Sequence, residues 1–214
     1  MILIMEDIAY RLPFDRTKLK EIDTLESKED IMEKCVHNLL VCIGADTDRP
    51  GIQETPKRVR KMYQEIFDGM NYTNEDLAEM YNKCFDVDTK DLVVVDNIPV
   101  FSCCEHHMAP MVSMKVSVGY IPNGKVIGLS KIARIADMVS RRIQLQERIG
   151  AEIADVLKLI LNTDDIIVVI EGEHTCMTMR GIKKPGTVTR TATLRGIFNE
   201  DHDLRQEFYS LIQK

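Results

Sequence analysis

The sequence predicts an α+β fold in which helices and antiparallel strands are segregated along the chain. Apolar residues recur at helical spacing early and again in the middle, while period-2 alternation is confined to separate later stretches. Strand and helix nowhere alternate as a parallel sheet requires. The resulting order is helices, hairpin, helices, hairpin, helix.

Residues 1–26 show no clear period and stay unassigned. Ser27 is placed to cap a helix whose Ile31, Cys35, Leu39 and Cys42 recur at helical spacing, and the loop Gly44 to Gly51 ends it. Thr55-Pro56 reads as N-cap and first helical residue of a second helix, with Val59, Met62, Tyr63, Ile66 and Phe67 on one face and Gly69 beyond its end. A shorter helix starts at Asn74, after which β-rich runs follow at Leu92 to Val95 and Val100 to Ser102. Met114, Val116, Val118 and Tyr120 alternate with Lys115, Ser117 and Gly119; Asn123-Gly124 then signals a turn into Val126 to Leu129, predicting a hairpin. Ser130 is the expected cap of a helix carrying Ile132, Ile135, Ala136 and Val139, and Ile149, Ile153, Val156, Leu157 and Ile160 mark another. Strand character returns at Ile166 to Ile170 and Thr187 to Leu194, and Leu204, Phe208 and Leu211 close the chain as a helix. These elements divide into a helical portion over residues 27–90 and a second portion over 91–214, together forming one structural domain.

The chain has 214 residues, 44% hydrophobic and 29% charged, enough for a globular domain and unlike a disordered tail. No apolar run reaches membrane-spanning length, and Met1 to Met5 lacks a basic flank and a cleavage site, so a cytoplasmic protein is expected. A net charge of −6 gives no global pull toward nucleic acid, so an anionic ligand must be caught by a local basic cluster. Six cysteines in such a chain favour metal binding over disulfides. Cys35, Cys42 and Cys84, in apolar helix-like surroundings, are read as buried packing residues.

The other three cysteines sit beside histidines. Ser102-Cys103-Cys104-Glu105-His106-His107 and His174-Thr175-Cys176 concentrate thiols, imidazoles and a carboxylate. Thiolate with imidazole suits zinc, and a catalytic zinc commonly keeps three protein ligands and one open position. Strand geometry at His174-x-Cys176 puts both side chains on one face. Spacing leaves the ligand set open, and a four-ligand structural zinc is the alternative. The surplus of ligand-type residues favours catalysis, because histidines left over can move protons beside an activated water.

Arg58 and Lys61 are neighbours on one helix face, and Lys131 and Arg134 repeat the spacing on another. The helix start at Lys131 is the better phosphate site, since unpaired N–H groups and the positive dipole end add to the lysine. Arg180 follows His174-Cys176 closely and is placed to close the pocket. In Gln144-Leu145-Gln146-Glu147-Arg148 a polar helix surface explains the residues adequately, yet an adjacent amide and carboxylate also match the edge of guanine.

These motifs together resemble the GTP cyclohydrolase I family. The likeness runs through Asp48-Arg49-Pro50, Thr55-Pro56-Lys57-Arg58-Val59, Cys104-Glu105-His106-His107, Tyr120-Ile121-Pro122 and Gly128-Leu129-Ser130-Lys131-Ile132-Ala133-Arg134. It continues through Gln144 to Arg148, His174 to Gly181 and Gly196-Ile197-Phe198, covering about residues 28–212 in family order. The resemblance implies the tunnel fold, in which hairpins and helices of several subunits close a barrel, as a homodecamer of two pentamers with active sites at subunit interfaces. It implies Zn2+ on Cys104, His107 and Cys176, proton transfer by His106 and His174, and Ser130 near the ribose. Gln146 and Glu147 would hold guanine, and Arg58, Lys61, Lys131, Arg134 and Arg180 the triphosphate of GTP. The implied reaction opens the imidazole ring at C8, releases formate and rearranges the ribose to give 7,8-dihydroneopterin triphosphate, without nucleic-acid or membrane partners. The chain departs from the family at Met111-Val112-Ser113, where an aromatic residue and a glycine are expected, and at the extra thiol Cys103.

Overall fold

The computed structural model describes residues 26–212, so all but the last residue of the unassigned N-terminal segment lies outside the described residues. The chain divides into two compact units between Asn71 and Tyr72.

The first unit contains α1 (Lys28–Cys42), the short α2 (Pro50–Gln53) and α3 (Thr55–Ile66). Ser27 caps α1 as expected, its hydroxyl accepting from the Asp30 N–H at 3.1 Å. The second helix begins one residue earlier than the sequence suggests: Glu54 is the N-cap, and Thr55 is already helical. α1 packs on α3, and the Arg60 guanidinium reaches Glu33 at 2.6 Å. Of the stripe Ile31, Cys35, Leu39 and Cys42, only Ile31 is buried. Cys35 and Cys42 are exposed, which corrects the buried reading, and Cys84 in the second unit is only half-buried. Among the described residues, the packing of α1 on α3 covers only the Ile31 turn of that stripe.

The second unit opens with α4 (Asn74–Tyr81), started where expected and held by a capping box between Thr73 and Asp76. Its five-stranded sheet has the order β5 (Ile143–Gln144), β2 (Val93–Cys104), β3 (Pro110–Tyr120), β6 (Ile166–His174), β7 (Val188–Leu194). All neighbours are antiparallel except β2 and β5. The two β runs before residue 104 are one strand, interrupted by a bulge between Val95 and Ile98 where Asn97 takes φ +58°. Asn123-Gly124 does turn the chain, with Gly124 at φ +74°, but does not close a hairpin. β3 has both edges occupied by β2 and β6, so β4 (Lys125–Ile127) leaves the sheet and pairs with β1 (Cys84–Asp86). The hairpins are β2–β3 and β6–β7.

α5 (Leu129–Ser140) packs on β2, and α6 (Gln146–Leu161) on β6 and β7. Both bury the stripes read from sequence, Ile132, Ile135, Ala136 and Val139 on one, Ile149, Ile153, Val156, Leu157 and Ile160 on the other. Ser130 is not the cap of α5: Gly128 is, and Ser130 lies within the first turn. Gly150 lets α6 approach the sheet, because a Cβ there would stand 2.6 Å from the Thr193 hydroxyl. α8 (His202–Ile212) seats Phe208 with Phe198 and Ile167 in a second cluster. This arrangement is the expected α+β architecture.

Candidate metal centre

β2 ends at Cys104, and the turn to Pro110 carries His106 and His107. The Cys104 N–H donates to the Ala109 carbonyl and the Met108 N–H to the Cys104 carbonyl, closing the loop tightly with Met108 at φ +49°. On the neighbouring strand, His174 is in register with Met111, and the Thr175 hydroxyl donates to the Pro110 carbonyl at 2.7 Å. β6 stops at His174, and Thr175–Thr178 form a single helical turn, α7. The strand periodicity expected for His174 and Cys176 therefore does not apply. The helical turn delivers Cys176 instead.

The result is that one ligand atom each of Cys104, His107 and Cys176 lies within 4.8 Å of the others. Two thiols and an imidazole are a donor set that fits a soft-to-borderline divalent ion, and three ligands leave a fourth position free. Burial, with the Cys104 thiol beside it, pushes the Cys176 thiol above its ordinary value, while Arg180 opposes this. The Arg180 guanidinium touches Nε2 of His107. Cys103 is 2% exposed, its thiol is pushed up by burial and by Cys104, and it lies outside the three-residue cluster. Successive strand residues face opposite sides, which separates it from the site.

His106 is exposed, its ring 6.2 Å from that of His107 between centroids. His174 is half-buried; desolvation lowers its pKa, and the nearby Glu147 carboxylate partly restores it. Its Nε2 stands 2.9 Å from Oε1 of Gln146. Gln146 itself is 1% exposed and turned into the interior, whereas Glu147 is exposed. Arg148 joins Glu105 at 2.7 Å and so ties the start of α6 to the metal-binding turn. Neither this pair nor the link between Gln146 and His174 was foreseen from sequence; the one available hint is that Gln146 falls three and seven residues before Ile149 and Ile153, on the buried face.

Ser130, Lys131 and Arg134 sit together in the first turns of α5, with the Lys131 ammonium 6.0 Å from the Tyr81 ring centroid. The other end of α5 leads into β5, beside Cys103 and Cys104. At 1.5 Å per residue, Ser130 and Lys131 lie about 14–15 Å along α5 from Ser140, at the end away from β5, whereas Arg134 lies midway. Arg58 and Lys61 are exposed on α3 in the first unit.

The GTP cyclohydrolase I family model matches residues 32–213. GTP cyclohydrolase 1 of Clostridium acetobutylicum is 54% identical over 185 residues, covering 84% of this chain and 95% of the relative. That of Ruminiclostridium cellulolyticum is 53% identical over 186 residues, with 84% and 95% covered. The Clostridium botulinum strain Kyoto protein of the same name is 52% identical over 189 residues, with 86% and 96% covered. A match of this length, over a fold that assembles two cysteines and a histidine from three separate elements, places the chain in the GTP cyclohydrolase I family.

Proposed function

We propose that this chain catalyses the reaction for which its family is named: GTP and water give 7,8-dihydroneopterin triphosphate and formate. The observation that carries the proposal is the clustering of Cys104, His107 and Cys176, with His106 next to His107 and His174 two residues before Cys176 in the chain. Zinc held by these three residues supplies a Lewis acid that brings the pKa of water toward neutrality. His106 and His174 move the protons as water adds at C8, the imidazole ring opens and formate leaves. The half-buried His174, its pKa lowered, favours the neutral proton-accepting form at physiological pH. Glu147, exposed at the first turn of α6, accepts from N1–H and the exocyclic amine of guanine. Arg180, beside His107, takes phosphate oxygens near the centre.

Ser130 serves the ribose steps, and Lys131, Arg134, Arg58 and Lys61 complete triphosphate binding. Because Ser130 and Lys131 lie in the first turn of α5, at the end away from β5, with Arg134 one turn further on, they fit the site of a neighbouring chain, in keeping with a homodecamer with interface active sites. Reduced thiols in the ligand set suit a cytoplasmic enzyme; among the described residues no helix is long and apolar enough to cross a membrane.

The test is incubation with GTP, with and without a zinc chelator, followed by oxidation and measurement of neopterin fluorescence and formate. Product that disappears on chelation is expected. His106→Ala and His174→Ala should each abolish product while retaining zinc. Metal-replete, assembled protein that releases no formate would overturn the proposal in favour of a nucleotide-binding module.

A further inference from the structure

We infer that Gln146 is a positioning residue which fixes the nitrogen through which His174 exchanges protons. This rests on the assignment of His174 to proton transfer made above. A carboxamide has two ends of similar shape, and its surroundings decide which way it faces. Nε2 of Gln146 lies 3.2 Å from the Ile170 carbonyl, 3.1 Å from the Thr189 carbonyl and 3.3 Å from the Thr191 hydroxyl. Backbone carbonyls only accept, so the amide NH2 must face them. The opposite orientation would press a carbonyl oxygen against two others in a place closed to water and turn the NH2 away from its acceptors. β6 and β7 thereby lock the amide, and Oε1 is left facing His174 at 2.9 Å.

That oxygen also only accepts. Nε2 of His174 must therefore carry a hydrogen, and in the neutral ring the lone pair resides on Nδ1. His174 accepts a proton at Nδ1 and returns it from Nδ1, while the Nε2 hydrogen stays with Gln146. The same contact limits rotation of the ring. Gln146 thus reaches the reaction through His174, from behind the site.

The experiment is 15N spectroscopy of histidine-labelled, zinc-loaded protein, with the His174 signals identified by their loss in His174→Ala. At a pH where the ring is neutral, the expected pattern is a protonated Nε2 and an unprotonated Nδ1; a neutral ring with its hydrogen on Nδ1 and none on Nε2 overturns the inference. Free imidazole already leans toward this tautomer, so a variant is the decisive arm. Gln146→Met removes the acceptor at nearly constant volume, and should erase the hydrogen-bonded shift of Nε2–H while leaving zinc content unchanged. Its kcat should fall by about 10–100-fold, the range seen when a supporting hydrogen bond is lost, with KM for GTP within about twofold. A raised KM with unchanged kcat and an unchanged His174 spectrum would overturn the inference and make Gln146 a guanine ligand instead. Gln146→Glu guards against misfolding: as a neutral acid it offers O–H to the strand carbonyls and C=O to the ring, and should keep the tautomer. A folded, zinc-bound Glu variant whose His174 carries hydrogen on Nδ1 and none on Nε2 overturns the inference as well. Failure of the underlying assignment is distinguishable, since it shows as full turnover by His174→Ala whatever the spectra report.

Discussion

Two adjacent thiols, Cys103 and Cys104, have opposite fates because a strand turns successive side chains to opposite faces. Cys104 joins His107 and Cys176, while Cys103 is sealed in the interior with its thiol pushed up by burial. Cys103→Ser should therefore retain metal, and Cys104→Ser or Cys176→Ser should lose it, as elemental analysis of purified protein will show. The same contrast separates the remaining cysteines. Cys35 and Cys42 are exposed, and Cys84 is half-buried with its thiol raised by desolvation. The thiolate is the reactive form, so alkylation near pH 8 should modify Cys35 and Cys42 first and Cys84 later, with the lag shrinking as pH rises. Peptide mass spectrometry over a time course reads the order directly; equal rates at all three would contradict it.

At the scale of elements, what sequence could and could not disclose follows the range of the physics. α5 and α6 bury the residues their 3.6-residue pattern marks, because a stripe that wide has to be covered. The turn at Asn123-Gly124 is equally local and equally real, yet pairing is a property of the sheet, and β3 was already taken on both edges. Cys176 was foreseen near the site, but by strand geometry that a helical turn replaces. Capping shifted for a similar reason: Gly128 can lead α5 because its N–H donates to the Lys83 carbonyl, a contact that no neighbouring residue announces. The link between Gln146 and His174 spans 28 residues and was out of reach. So was Arg142, whose guanidinium gathers Glu152 at 2.6 Å, Asn74 at 2.8 Å and the Tyr72 carbonyl at 3.0 Å. With 11% of the Arg142 side chain and 21% of that of Glu152 exposed, this cluster joins α4 to α6 largely out of water. Arg142→Met leaves Glu152 without its charged partner and should lower stability by about 3–5 kcal/mol, measured by urea unfolding of the metal-loaded protein. A loss below about 1 kcal/mol would mean the pair behaves as a surface one.

For the whole molecule, a net charge of −6 leaves GTP capture to local groups, which the proposed interface site draws from more than one chain. Ser130 and Lys131 lie in the first turn of α5, about 14–15 Å along the helix from Ser140, beyond which the chain pairs with Cys104 through β5, and Arg134 lies midway. A neighbouring chain supplies these residues if the proposed interface site is right, and this has a sharp consequence in mixed assemblies. Cys104→Ser and Lys131→Ala should each be nearly inactive alone. Assembled together in equal amounts, they should regain activity, because some interfaces pair an intact metal centre from one chain with an intact lysine from the next. Random assortment restores about one quarter of the sites, so recovered formate release should approach that fraction of the unmodified protein. Size-exclusion chromatography with light scattering checks that both variants still assemble at ten times the mass of one chain. If each site is instead built within one chain, every chain in the mixture carries a lesion and no recovery occurs at any ratio.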